Sequence, residues 1–447
     1  MTAEQTAHDQ RQDFASLTGL RIVAALWVVL FHVAAPLAGT YAGPLAPVWP
    51  VLRMGWVGVD LFFVLSGFVI THSYLSRMGD RPRPGLMGRF LWARFARVWP
   101  VWVAVTAVFA VVLLVTGSAS RTDSYSAEVS MRSTIEQLLM VQLWGSDTIV
   151  RTSYVVPGWS LSAEWLAYVC FPLLALLLFR LRRLPWWLLA TLSVLAMAPF
   201  AASSLLYGDN QNLWEIRIAG GFLAGALMNM AVRRLSVTPA VRRWAGGVAV
   251  LAVLELVLVG LWSSSWTGLS KSGVAVLLFP VLVGALALST GALARALGTP
   301  VMQLGGRISY SLYLVHTCLF IVLDTVASRQ PALAAGTPNY MAVLPQVVLL
   351  TLPAAYLLWR FVEEPCRNWL MAHQPRLPGA RSRQAAGEAV PAPQPTIAQP
   401  ATSQPATSQP ATSQLATARI VSPRVVTPRI AVPVPALSPD LAEHRSA

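Results

Sequence analysis

Apolar stretches of near-constant length alternate with short polar segments along almost the whole chain. Ten of them stand out, at residues 17–39, 54–76, 95–117, 158–179, 185–206, 213–231, 244–262, 270–289, 308–328 and 341–361. Each approaches the roughly 20 apolar residues that a helix needs to cross a hydrocarbon layer. In lipid the backbone has no water to bond, so a segment of this kind satisfies its own amides by forming a helix. The pattern predicts an all-α polytopic membrane protein with about ten transmembrane helices. No internal repeat is visible among the spans.

The polar segments divide by charge. Arg77, Arg81, Arg83, Arg89, Arg94 and Arg97 precede or open the third span, and Arg180, Arg182 and Arg183 follow the fourth. Arg233, Arg234, Arg242 and Arg243 lie between the sixth and seventh, and Arg295 and Arg307 between the eighth and ninth. These segments share one side if both termini are cytoplasmic, as the bias of Arg and Lys toward the cytoplasm requires. Pro82 and Pro84 predict a break in the helix between the second and third spans. The longest opposite connection, Ser118 to Pro157, has the length of a functional loop, and its part from Met131 to Leu143 is expected to form a short amphipathic helix.

Composition agrees. Of 447 residues, 55% are hydrophobic and 12% charged, and the mean hydropathy is +0.57, which excludes an ordinary soluble globule. A net charge of +14 would suggest nucleic acid in a soluble chain, but here it reads as topology together with an anionic ligand, and no nucleic-acid partner is expected. Cys170, Cys318 and Cys366 have no spacing that indicates disulfides or a metal site. The N-terminus lacks a cleavable signal pattern. The expected organisation is a cytoplasmic segment at 1–13, a transmembrane domain at 14–370 and a tail at 371–447. The tail is rich in Pro, Ala, Thr, Ser and Gln, repeats QPATS three times from Gln399, and is expected to be disordered.

Polar residues inside the spans carry the candidate chemistry, because buried charge is costly and is retained mainly for function. Arg21 and His32 lie eleven positions apart in the first span. At about 100° per residue they return to within about 20° of one face, about 16 Å apart along the axis. His32, Asp60 in the second span and Glu164 in the fourth lie at similar depths below the outer ends of their helices, so a carboxylate bonded to the His32 imidazole is expected to support it as a general base. The other reading is three unrelated interfacial groups. Arg94 and Arg97 share a helix face, and with Arg89 and Arg21 they suit a phosphorylated ligand, or else anchor topology. Tyr310, Tyr313 and His316 form one stripe on the ninth span. Glu363 stands before Pro365 at the end of the last.

These features resemble one family. LTGLR with Arg21-x10-His32, GVDLFFVLSGF, the Arg94-x-x-Arg97 pair, WSLSAEW, ISYSLYLVH and VEEP occur in the order of the membrane-bound acyltransferase 3 family. Two positions depart from its usual pattern: Thr18 replaces an acidic residue, and Trp165 follows WSLSAE. The resemblance implies an O-acyltransferase in the cell membrane that moves an acyl group, typically acetyl, from cytoplasmic acyl-CoA to a hydroxyl of a carbohydrate or glycosylated acceptor. It implies acyl-CoA as a donor substrate and no bound cofactor or metal. It also implies a stand-alone member without a fused esterase-like domain. His32 is then catalytic, supported by Asp60 or Glu164; Arg21, Arg94 and Arg97 bind the donor; and Tyr310, His316 and Glu363 are candidates for contacting the acceptor or supporting the site. The competing class is a glycan or lipid transporter, which would favour paired repeats with broken helices.

Overall fold

The computed structural model describes residues 14–45, 48–116, 129–264, 271–334 and 336–375. The segment 1–13 and nearly all of the expected tail lie outside the described residues. Among the described residues the chain is helical and contains no strand. Nine helices among the described residues are long and apolar enough to cross a membrane.

The first is α1 (Ala15–Leu45). A short helix α2 (Trp49–Arg53) and a 3₁₀ turn at Met54–Val57 lead into α3 (Gly58–Met78). The break between the second and third spans is narrower than the proline pair suggests. Pro84 sits at the start of α4 (Pro84–Thr116), where its missing N–H costs nothing, so Arg89, Arg94 and Arg97 are all helical. The connection between the third and fourth spans holds α5 (Met131–Leu138), which is shorter than expected and capped by Ser130, whose hydroxyl accepts from the Ser133 amide.

Next comes α6 (Gly158–Leu181). The fifth span is divided into α7 (Trp186–Leu195) and α8 (Ala198–Tyr207). Pro199 explains the division, since proline removes an amide donor and clashes with the carbonyl four residues back. Then follow α9 (Trp214–Val232) and α10 (Pro239–Ser264). The eighth expected span is the exception to the count. It is a 3₁₀ turn at Ser272–Leu277 followed by α11 (Leu278–Leu288), together too short to rank with the nine. The Asp209 carboxylate accepts from the Ser272 and Gly273 amides, at 3.0 and 2.8 Å, and so starts this segment inside the bundle. A short α12 (Ala292–Leu297), then α13 (Pro300–Arg329) and α14 (Pro338–Leu358) complete the spans.

The chain ends its described part with a π turn at Trp359–Glu363 and α15 (Glu364–Ala372). Pro365 has no N–H for the carbonyl four residues back, and the amide of Glu364 instead bonds Trp359 O, five residues back. This widening turns Glu363 inward, where it is 1% exposed.

Small residues let backbones approach, as expected where lipid removes the hydrophobic drive for helix association. A side chain at Gly67 of α3 would lie 2.0 Å from Phe222 O of α9, and one at Gly306 of α13 would lie 2.0 Å from Thr18 O of α1. These two close contacts set α3 against α9 and α13 against α1, the helices that carry the site.

Candidate active site

Two cavities lie along the shared face of α1 and α13. The outer one has a volume of about 790 Å³ and is bordered by His32, Trp56, Trp159, Tyr313, Thr317 and the segment Asp209–Asn212. The inner one, about 60 Å³, is bordered by Arg21, Ser66, Arg94, Arg97, Glu164, Tyr168 and Tyr310. The Arg21–His32 spacing thus places one residue in each cavity. Between them Phe62 packs edge-on against Tyr313, ring centroids 6.1 Å apart, and the Tyr313 hydroxyl is 2.6 Å from the Ser160 hydroxyl.

His32 presents its ring to the outer cavity, where it is solvent-exposed. Its Nδ1 lies 2.8 Å from Val28 O, one helical turn back, and 3.4 Å from His316 Nε2. His316 is fully buried, and its own Nδ1 faces Leu312 O at 3.2 Å. Each carbonyl can only accept, so each Nδ1 carries its proton. That assignment leaves a lone pair on His316 Nε2 facing the His32 Nδ1–H, and a second lone pair on His32 Nε2 facing the cavity. The support expected from a carboxylate is therefore provided by two acceptors of another kind, a backbone carbonyl and a second imidazole.

Asp60 and Glu164 are placed elsewhere. The Asp60 carboxylate accepts two hydrogen bonds from Arg217 of α9, from Nε at 3.0 Å and Nη2 at 2.8 Å, and both side chains are fully buried. The guanidinium lies between Trp56 and Trp159, 5.0 and 4.8 Å from their ring centroids, and Nη1 donates to Gln211 O at 3.2 Å. The pair thus ties α3 to α9 beneath the segment that borders the outer cavity. Arg217 was missed from sequence because it stands close to the end of its span. The signal was there: a buried carboxylate needs a cation at its own level.

Glu164 is five residues beyond Trp159, about 7.5 Å deeper along α6, and belongs to the inner cavity. It accepts a short hydrogen bond from the Tyr168 hydroxyl. The three groups expected at one level therefore form three separate constellations, and neither carboxylate bonds His32.

The inner cavity gathers the predicted basic residues. Arg21 Nε donates to Ser309 Oγ at 3.4 Å, and its guanidinium stacks on Phe62 at 5.6 Å. Arg97 forms an ion pair with Glu363 and lies 5.9 Å from the Tyr310 ring centroid. Glu363 also accepts from Ser311 Oγ at 2.8 Å. Arg94 lies over Tyr74, and its Nε is buried without a hydrogen-bond partner. Arg89 is exposed and outside this group. The stripe on α13 links both cavities: Tyr310 borders the inner one, its hydroxyl donating to Val98 O at 2.8 Å, Tyr313 borders the outer one, and His316 lies buried behind His32.

Among the described residues the helical bundle thus holds one cavity bordered by His32 and a second bordered by Arg21, Arg94 and Arg97. The family model for an acyltransferase domain matches residues 14–360, and the chain belongs to the acyltransferase 3 family. Among its relatives is acyltransferase MdmB of Streptomyces mycarofaciens, 27% identical over 80% of this chain and 93% of that protein. Exopolysaccharide production protein ExoZ of Rhizobium meliloti is 28% identical over 64% of this chain and 83% of the relative. O-acetyltransferase OatA of Staphylococcus aureus is 24% identical over 79% of this chain and 57% of the relative. No solved structure matches the chain. The protein is a multi-pass membrane acyltransferase acting on groups other than aminoacyl.

Proposed function

We propose that this protein transfers an acyl group, typically acetyl, from acyl-CoA to a hydroxyl of a carbohydrate or glycosylated acceptor, with both termini in the cytoplasm of the cell. The observation that carries this reading is the exposed His32 imidazole at the outer cavity, with its Nδ1 2.8 Å from Val28 O. In this reading the phosphates of acyl-CoA are held from the cytoplasmic side by Arg21, Arg94 and Arg97, whose forked donors suit phosphate oxygens. The thioester reaches past Phe62 and Tyr313 along the about 16 Å of α1 that separates Arg21 from His32, a span comparable with an extended pantetheine arm.

The acceptor lies in the outer cavity. Asn210, Gln211 and Asn212 offer hydrogen bonds to hydroxyls there, and Trp56 and Trp159 border it with indole rings. The printed names of two relatives, an O-acetyltransferase and an exopolysaccharide production protein, support O-linked transfer and a carbohydrate acceptor.

His32 Nε2 takes the proton of the acceptor hydroxyl as its oxygen attacks the thioester carbonyl. The new imidazolium keeps its Nδ1–H shared between Val28 O and His316 Nε2, which hold the ring and disperse its charge. The carbon–sulfur bond then breaks, and the proton passes from His32 to the CoA sulfur. The products are an ester and free CoA.

A positioned general base contributes about 10²–10⁴ in rate. His32→Gln should lower transfer from labelled acetyl-CoA in membranes by that factor, normalised to protein amount, with acyl-CoA binding retained. Near-parent turnover in His32→Gln would refute the assignment.

A further inference from the structure

Far from both cavities of the site, a third lies on the outside of the helix bundle. It has a volume of about 530 Å³ and runs between α7, α9, α10 and α11. Its lining is apolar apart from Thr191 and includes Ala190, Val194, Met228, Val248 and Val281. Along α7 it extends from Trp186 to Val194, about 12 Å. A groove of this character on a membrane-facing surface takes a hydrocarbon chain.

One end of the groove differs from the other. There it is bordered by Trp186, Leu235, Val241 and Trp244, and the two indoles are 47% and 77% exposed, as aromatic residues are at the level of lipid headgroups. Leu235 and Val241 directly adjoin Arg234 and Arg242 in the chain. The two connections that meet at this end, 180–185 and 233–239, are joined by Arg234 donating to Arg182 O. Residues 180–188 and 232–247 contain Arg180, Arg182, Arg183, Arg233, Arg234, Arg242 and Arg243 and no Asp or Glu. Arg183 and Arg234, in these two connections, are exposed. Bias toward cationic loops accounts for some arginine here, but it does not require an apolar groove to open at the same place.

We propose that this groove binds one acyl chain of an anionic phospholipid, whose phosphate is held by Arg183 and Arg234 of the two connections that meet at its mouth. Basic pockets between helices at a membrane surface recognise such headgroups. The occupant is a phospholipid bound as a ligand of the fold, distinct from the acyl donor and the acceptor.

The test is native mass spectrometry of the full-length protein in mild detergent, offered equal amounts of phosphatidylglycerol and phosphatidylcholine with identical chains. The parent protein should retain phosphatidylglycerol preferentially. Arg183→Gln with Arg234→Gln should lower that preference about 30-fold, from the contribution of each basic residue near anionic lipid. Ala190→Phe, which fills the groove and leaves the arginines in place, should lower retention of both lipids. A further measurement needs no variant: raising ammonium acetate should weaken phosphatidylglycerol retention and leave phosphatidylcholine retention nearly unchanged. Equal retention of the two lipids by the parent would overturn the proposal. So would undiminished phosphatidylglycerol binding by a folded Ala190→Phe protein, which would leave only a headgroup contact at the surface.

Discussion

The Asp60–Arg217 pair permits a stability prediction worked directly from its geometry. Asp60→Asn keeps the shape of the side chain and one acceptor oxygen, but it removes the charge and one of the two hydrogen bonds, at 3.0 and 2.8 Å. The guanidinium then remains fully buried with Gln211 O and the faces of Trp56, Trp159 and Phe200 as its remaining company. Cation–π contact contributes about 0.5–2 kcal/mol, whereas stranding a buried charge costs about 3–5 kcal/mol. The deficit wins, and the folding equilibrium should fall by about 10²–10⁴. Arg217→Met should cost a similar amount by stranding the carboxylate. The double variant Asp60→Leu, Arg217→Met removes both charges and should return to within about 1 kcal/mol of the parent. The assay is equilibrium unfolding in mixed micelles, followed by far-UV circular dichroism, over the cycle of parent, Asp60→Leu, Arg217→Met and the double variant, with Asp60→Asn alongside. Single variants that each cost less than about 1 kcal/mol, or a double variant as unstable as either single one, would refute the reasoning.

Two further outcomes concern the transfer site itself. Arg94→Ala should raise the KM for acyl-CoA with little change in protein yield, because its Nε has no protein partner to lose; Arg97→Ala strands the buried Glu363 and should also lower yield, and equal behaviour of the two would mean that the ion pair with Glu363 does not matter. His316→Gln should lower kcat about 2- to 12-fold, the value of one neutral hydrogen bond, because Val28 O at 2.8 Å remains to orient His32; a loss as large as that of His32→Gln would make His316 an equal participant in the proton transfer.

Much of this protein is a property of segments and is therefore legible along the chain. Helices at nearly every expected span follow from hydropathy, because a backbone in lipid bonds to itself whatever surrounds it. The eleven-residue step from Arg21 to His32 follows from helix pitch alone, and so does the stripe from Tyr310 to His316. The fifth span, by contrast, reads as one segment at 185–206, and only the structure divides it near Pro199 and widens the last span into a π turn before Pro365. Which side chains meet is a different kind of fact. Asp60 and Glu164 lie equally far into their expected spans at 54–76 and 158–179, yet one turns toward Arg217 and the other toward Tyr168. Those choices are set by the rotation and tilt of whole helices, fixed in turn by backbone contacts such as Gly67 on Phe222 O and Gly306 on Thr18 O. A rotation of one residue, about 100°, decides whether His32 faces a carboxylate or the imidazole of His316, and that rotation exists only once the helices are packed together.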